Sequence, residues 1–391
     1  MKNTKHPPHP INLFCIFAAD LVVRLPPKLV VNDYIMENKK LQAALEKWQS
    51  IQPLSENDRN RLSRRFTIDF NYNSNHIEGN TLTYGQTELL LLFGKVSGTA
   101  EFRDYEDMKA SNVGLKMMTV EAHETKQPLT QSFIRTLHRT LLREDYTVYR
   151  NLPGGMQTSY TVHAGQYKTR PNSVITRYGD RFEYASPEET PALMTDLVDW
   201  YNEAEAEGKM SPVELAVLFH YRYIRIHPFE DGNGRIARLM FNYIMSRHGY
   251  PMIVVRSKSK QNYLEALHQA DLIVGAAPHD GAHASLKNIR PFHKYMANLI
   301  THEIENDVLF VTDKNENVWW YDGERIAFRS DNYAKILREL QIEKNATYSY
   351  LQETIGINRS AIQKMIQTMQ EKSYIDRDET GSWRVFITPS V

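Results

Sequence analysis

Cysteine is almost absent: Cys15 is the only one in 391 residues. One thiol excludes an internal disulfide framework and any metal site built from cysteines alone, and it suits a reducing, cytoplasmic setting. Net charge is missing too, with 47 Lys+Arg against 47 Asp+Glu. That balance argues against a nucleic-acid glove or an acidic solvating tail as the strategy of the whole chain. No run approaches the roughly 18–20 consecutive apolar residues that a membrane-spanning helix needs, so we expect no membrane span. The nearest, Ile11 to Val23, is broken by Asp20 and followed by no clean small-residue cleavage site. We therefore read residues 1–35 as a loosely ordered leader rather than a signal peptide. Internal repeats and low-complexity tracts are also lacking.

What remains reads as mainly α. Leu41, Leu45 and Trp48 recur at helical spacing, and Ser55 with Asp58 three residues on opens a second helix, which should stop at Gly79. Further helices are expected over 84–93, 102–125, 131–142, 187–206 and 212–226. Thr, Tyr and Val alternate within 158–177, bounded by Gly154-Gly155 and interrupted by Pro171-Asn172, which suggests a β-hairpin on a helical body. From Trp319 onward the order becomes helix 331–343, helix 348–355, Gly356, helix 358–371 and a hairpin around Glu379-Thr380-Gly381-Ser382. That is the outline of a small α+β winged helix-turn-helix domain. We divide the chain at 35/36, 125/126 and 305/306, giving the leader, an N-terminal helical region, a central domain and the winged-helix module.

One segment concentrates chemistry: His227-Pro228-Phe229-Glu230-Asp231-Gly232-Asn233-Gly234-Arg235-Ile236-Ala237-Arg238. Gly232 and Gly234 let backbone N–H groups converge at a helix start, where amides and dipole bind an anion. Asp231 offers the hard oxygen that Mg²⁺ takes alongside substrate phosphates. Arg235 and Arg238, three apart, share a side of the first turn. Arginines so spaced usually form a solvated face, but here they oppose the dipole at about 0.3–1 kcal/mol each unless an anion is present. His227 is suited to accept a proton from an incoming hydroxyl. Together these are parts of a nucleotide phosphoryl-transfer site.

The segment resembles the signature loop of Fic-domain proteins, His-Pro-Phe-x-Asp-Gly-Asn-Gly-Arg-x-x-Arg, at all nine specified positions. The resemblance implies a helical Fic core that transfers a nucleotide monophosphate, most commonly AMP from MgATP, to a Ser, Thr or Tyr hydroxyl of a protein. By residue it implies His227 as general base, Asp231 as Mg²⁺ ligand, and Gly232, Asn233 and Gly234 around the α-phosphate. Arg235 and Arg238 would meet the distal phosphates. Asn262 and Tyr263 fall where relatives have a helix beside the adenine, although Tyr263 equally suits a core aromatic. Gly165-Gln166-Tyr167-Lys168 falls where relatives carry a target-clamping flap, many with Arg in place of Lys168. The acceptor implied is a protein, the chain itself among the candidates. Relatives often form homodimers, though no heptad or isolated apolar face here requires it.

Upstream, Ser74-Asn75-His76-Ile77-Glu78-Gly79-Asn80 resembles the family's inhibitory motif, (Ser/Thr)-x-x-x-Glu-(Gly/Asn). Ser74 and Glu78 share a helix face, and Glu78 faces the unfavourable negative end of the dipole. The resemblance implies a bidentate pair between Glu78 and Arg238 that blocks the γ-phosphate. In some relatives the equivalent glutamate also supports removal of AMP. Two alternatives stand beside this: a DNA-binding regulator using the winged helix, and transfer of a different nucleotide. Residues 306–391 hold 11 Lys+Arg and 13 Asp+Glu, net −2, which lacks the basic footprint of a duplex reader.

Overall fold

The computed structural model describes residues 39–96, 98–151, 157–175 and 181–390. The expected leader and Gly154-Gly155 lie outside the described residues. Five helices come first: α1 (Lys39–Ser50), α2 (Glu56–Ile77), α3 (Tyr84–Phe93), α4 (Phe102–His123) and α5 (Gln131–Leu142). Four short strands come next, β1 (Tyr146–Asn151), β2 (Gln157–Val162), β3 (Ser173–Ile175) and β4 (Arg181–Glu183). Then come α6 (Thr190–Glu207), α7 (Pro212–Ile226), α8 (Asn233–Arg247), α9 (Lys260–Val274), α10 (Pro278–Ala282) and α11 (Arg290–Thr312). The C-terminal part is β5 (Val318–Tyr321), β6 (Glu324–Ala327), α12 (Asp331–Ile342), α13 (Tyr348–Ile355), α14 (Arg359–Glu371), β7 (Ile375–Arg377), β8 (Trp383–Val385) and β9 (Thr388–Pro389). Among the described residues, no helix is long and apolar enough to cross a membrane.

Local chemistry accounts for many of the helix ends. Ser55 Oγ accepts the Asp58 N–H at 3.1 Å at the start of α2, and Ser211 with Glu214 forms a full capping box ahead of Pro212 on α7. α7 and α8, on either side of the His227–Gly232 loop, are buried on nearly every side. Phe219, Tyr221 and Tyr223 of α7 are inaccessible, each contributing about 1.5–3 kcal/mol of burial, as for a large apolar side chain. The loop between them therefore hangs from the two most enclosed helices among the described residues.

The hairpin expectation needs correction. β2 pairs backward with β1, from Tyr146↔Val162 to Asn151↔Gln157, and β3 with β4 forms a second hairpin. Val162 ends the first ladder because Asp145 captures the next two residues: its carboxylate takes the Ala164 N–H at 2.8 Å and meets His163 Nδ1 at 2.6 Å. The chain then turns beneath the loop instead of extending.

The expected division at 125/126 is not a division of cores. Leu41 and Trp48 of α1, Phe66 and Phe70 of α2 and Met118 of α4 join the same buried cluster as α7 and α8. Nor does the chain break at 305/306, because α11 runs through it and carries Val308 into that core. A second cluster forms from Trp319, Leu337, Ile362, Ile366, Met369 and Trp383. The pleat of β5 places Trp319 in this cluster and its neighbour Trp320 in the first. In α14, Ile362, Ile366 and Met369 are core, while Gln363, Lys364, Gln367 and Gln370 face solvent.

Several contacts fasten the C-terminal part to α2, the Arg256 guanidinium foremost among them. Arg256 bonds Glu303 by Nε at 3.0 Å and Nη2 at 2.6 Å, and reaches Asp69 of α2 at 2.8 Å and Asp322 of the β5–β6 turn at 3.1 Å. Asp322 also accepts from Asn73 of α2 at 2.7 Å. Arg61 of α2 reaches the Pro389 carbonyl at 2.9 Å, and the Tyr84 and Tyr321 rings pack 4.7 Å apart.

Candidate active site

His227 caps α7 in the left-handed conformation (φ 53°, ψ 59°), and its N–H still closes the helix on the Tyr223 carbonyl at 2.9 Å. Its Nδ1 faces the Ile224 carbonyl at 3.3 Å. An Nδ1–H donor there leaves Nε2 with a free lone pair. Tyr184 stacks on the ring at 3.9 Å and 12°. Burial, then the nearby Lys168 cation, pushes the imidazole down to about 4, so it is neutral near pH 7 and able to accept a proton.

Four residues on, burial would raise the Asp231 carboxyl, but Arg235, the Tyr146 hydroxyl and the Gly232 N–H outweigh it and hold it below its ordinary value. Tyr146 of β1 donates to Oδ2 and Gly232 N–H to Oδ1, each at 2.6 Å, and Arg235 lies 3.4 Å from Oδ2. His138 of α5 fixes the same loop from below. Its Nδ1 accepts the Gly165 N–H at 2.8 Å, which leaves Nε2–H to donate to the Asp231 carbonyl at 3.0 Å, and its ring lies flat on Phe229 at 3.7 Å. Gly232, at φ 77°, supplies the turn that an L side chain rarely adopts, and α8 begins at Asn233.

The anion position at the start of α8 is already filled from within. A Cβ at Gly234 would collide with Glu78 Oε1 and lie 3.1 Å from Arg238 Nη1, which places the carboxylate directly over the helix N-terminus. Glu78 Oε1 accepts from Arg238 Nη2 at 2.6 Å. Burial would raise the Glu78 carboxyl, yet Arg238 holds it below its usual range. Ser74 completes the contact, its Oγ taking Arg238 Nε at 3.0 Å and its carbonyl taking Nη2 at 2.9 Å. Arg238 is 3% exposed, and the Glu78 side chain 38%. The buried Nε of Arg235 has no hydrogen-bond partner.

Residues 128–245 match the model of the Fic/DOC family. The crystal structure of a Fic domain containing signaling protein from Bacteroides thetaiotaomicron is 53% identical in sequence, with a TM-score of 0.64, covering 69% of this chain and 96% of that one. The chain belongs to the Fic/DOC family. A Fic family protein from Desulfovibrio desulfuricans shares the fold over 92% of this chain and 98% of its own, at 19% identity and a TM-score of 0.52. Protein adenylyltransferase fic-1 of Caenorhabditis briggsae is 29% identical over 242 residues, 61% of this chain and 40% of that protein. The chain thus spans less than half the length of that curated relative.

Against the Fic loop, the expected site residues separate into two groups. His227, Asp231, Gly232, Gly234, Arg235 and Arg238 lie together with Ser74 and Glu78. The Glu78–Arg238 contact is one charged bond plus two from Ser74, not a bidentate pair, because Ser74 takes the other guanidinium edge. Asn233 turns away: its amide spans the Phe229 backbone, accepting from N–H at 2.9 Å and donating to C=O at 2.7 Å. It shapes the Fic loop rather than facing a phosphate. Tyr263 is buried with its hydroxyl on His220 Nε2 at 2.7 Å and beside Arg238, so it backs that arginine from the core, while Asn262 is exposed at the start of α9.

The side chains of Tyr167 and Lys168 turn toward the protein body. Tyr167 bonds Gln131 at 2.9 Å, and Lys168, 3% exposed, lies under the Fic loop with its ammonium on backbone carbonyls. Tyr146, His138 and Tyr184 escape sequence reasoning as site residues. Only His138 carries a local signal, in the Leu137-His138-Arg139 run; the other two come from strands, or their flanks, without a distinctive pattern.

Proposed function

We propose that this chain is a protein adenylyltransferase, moving AMP from MgATP to a Ser, Thr or Tyr hydroxyl of a protein, with Glu78 as its internal brake. The carrying observation is the Glu78 carboxylate seated over the N-terminus of α8 against Arg238: an anion site exists, and an anion from the chain itself fills it. In the working site the acceptor hydroxyl oxygen attacks the α-phosphorus, its proton passes to His227 Nε2, and the bond to the pyrophosphate oxygen breaks. Arg235, with its unpartnered Nε, and Arg238 would hold the departing phosphates.

Asp231 fits Mg²⁺. It is an ionised, partly exposed carboxylate, and among the described residues no group of three or more acidic, His or Cys side chains could hold a metal without the nucleotide. The metal would neutralise phosphate charge there. The acceptor protein includes the chain itself as a candidate, a homodimer is part of the same reading, and the single cysteine suits the cytoplasm. A nucleic-acid partner is disfavoured by the net −2 charge of residues 306–391.

Incubating Glu78→Gly protein with labelled ATP and Mg²⁺ should give self- or target labelling at least tenfold above wild type, and adding His227→Ala should abolish it. Equal labelling by wild type and Glu78→Gly would sink the brake. Efficient labelling by another nucleotide alone, with the adduct located by mass spectrometry, would replace AMP as the transferred group.

A further inference from the structure

His227 occupies an awkward place for a base. It caps the C-terminal end of α7, where unsatisfied carbonyls form the negative pole of the helix and favour a protonated imidazole. Lys168 meets that pole from the turn after β2. Its Nζ lies 3.1 Å from the Ile226 carbonyl, 2.9 Å from the His227 carbonyl and 2.9 Å from Asn172 Oδ1. Three ammonium hydrogens meet three neutral acceptors. The backbone on either side is locked as well: Lys168 N–H donates to the Pro228 carbonyl at 2.9 Å, and Asn172 Nδ2 to the Phe229 carbonyl at 3.0 Å.

Resting on the adenylyltransferase reading, we propose that Lys168 is the positioning residue of His227. Its ammonium ties down the last carbonyls of α7, fixing the left-handed turn that aims the imidazole, and neutralises the helix end that would otherwise keep a proton on it. The other groups that face His227 all differ from Lys168 in sign or are uncharged. Glu78 from the end of α2 and Asp231 from the Fic loop both favour imidazolium, and Tyr184 contributes a neutral ring. Lys168 itself has only the distant Glu189 at the start of α6 in its favour, and burial pushes its ammonium down to about 7. The three acceptors around Nζ favour its protonated form. An arginine at 168 would keep the charge, but its planar fork cannot direct three donors as a tetrahedral ammonium does.

The test reads the imidazole directly in the full chain without nucleotide. Histidine NMR, with the His227 resonance assigned by its loss in His227→Ala, follows protonation against pH. In the wild type the midpoint is expected near 4. Lys168→Met should raise it by about one pH unit, and Lys168→Gln, which keeps two donors for the carbonyls and guards against misfolding, should do the same. Lys168→Arg should leave it low. In the Glu78→Gly background the acid limb of ATP-dependent labelling should move with the midpoint, with the KM for ATP unchanged. Equal midpoints for Lys168→Gln, Lys168→Arg and wild type would overturn the proposal. A shifted midpoint in a protein that labels nothing would support Lys168 and overturn only the adenylyltransferase reading.

Discussion

Arg238 and Arg256 are both buried guanidiniums held by carboxylates, and they are held in opposite ways. Arg256 spends Nε, Nη1 and Nη2 on Glu303, Asp69 and Asp322. Arg238 has a single carboxylate, and that one is partly open to solvent, while its neighbour Arg235 keeps a buried Nε unpartnered. A charge taken out of water must be compensated. Where compensation is complete and buried, as at Arg256, the cluster is architecture. Where it is incomplete and provided by a partly exposed group, the pocket suits the exchangeable anion that the proposed function calls for.

The largest expected effect tests the architectural side. Arg256→Met takes the shared cation from three carboxylates and should cost about 3–5 kcal/mol in urea unfolding; a loss under about 1 kcal/mol would erase the distinction. Glu78→Gly should cost far less, about 1 kcal/mol or below, because the carboxylate is partly solvated and Ser74 still holds the guanidinium. In that variant MgATP should raise the melting temperature by several degrees, against little change in wild type, since only an emptied anion site gains ligand binding. The smallest change is Ser74→Ala. Losing the Oγ contact loosens Arg238 by about 1 kcal/mol while the Ser74 carbonyl bond persists, so labelling should rise only a few-fold with Glu78 in place.

Much of this contrast could be read from residue order, and the reason is locality. Helices α5, α7 and α13 lie at the expected boundaries, since caps and spacing act within a turn. The Fic loop packs its chemistry into twelve consecutive residues, so spacing alone brought His227, Asp231 and the arginines together. What failed was side-chain direction. Asn233, Tyr263 and Lys168 lie in the expected neighbourhood but point into the protein, and direction depends on the local backbone for Asn233, which meets Phe229, and on partners distant in sequence for the others: His220 for Tyr263 and the end of α7 for Lys168. The Arg256 cluster was invisible because its acids come from the distant positions 69, 303 and 322.

The fastening of α2 also decides how Glu78 can leave. Asp69 and Asn73 are tied to Arg256, Asp322 and the Ser257 N–H, and Lys260 holds the Ile77 carbonyl at 2.6 Å. The helix cannot retreat as a body without breaking these, so release is confined to rotation of the Glu78 side chain and its last turn. On the proposed function, Glu78 would then act as a tethered competitor whose local concentration is set by geometry and not by the amount of protein. Dilution would leave such inhibition unchanged, and an incoming phosphate would have to displace a carboxylate that never diffuses away.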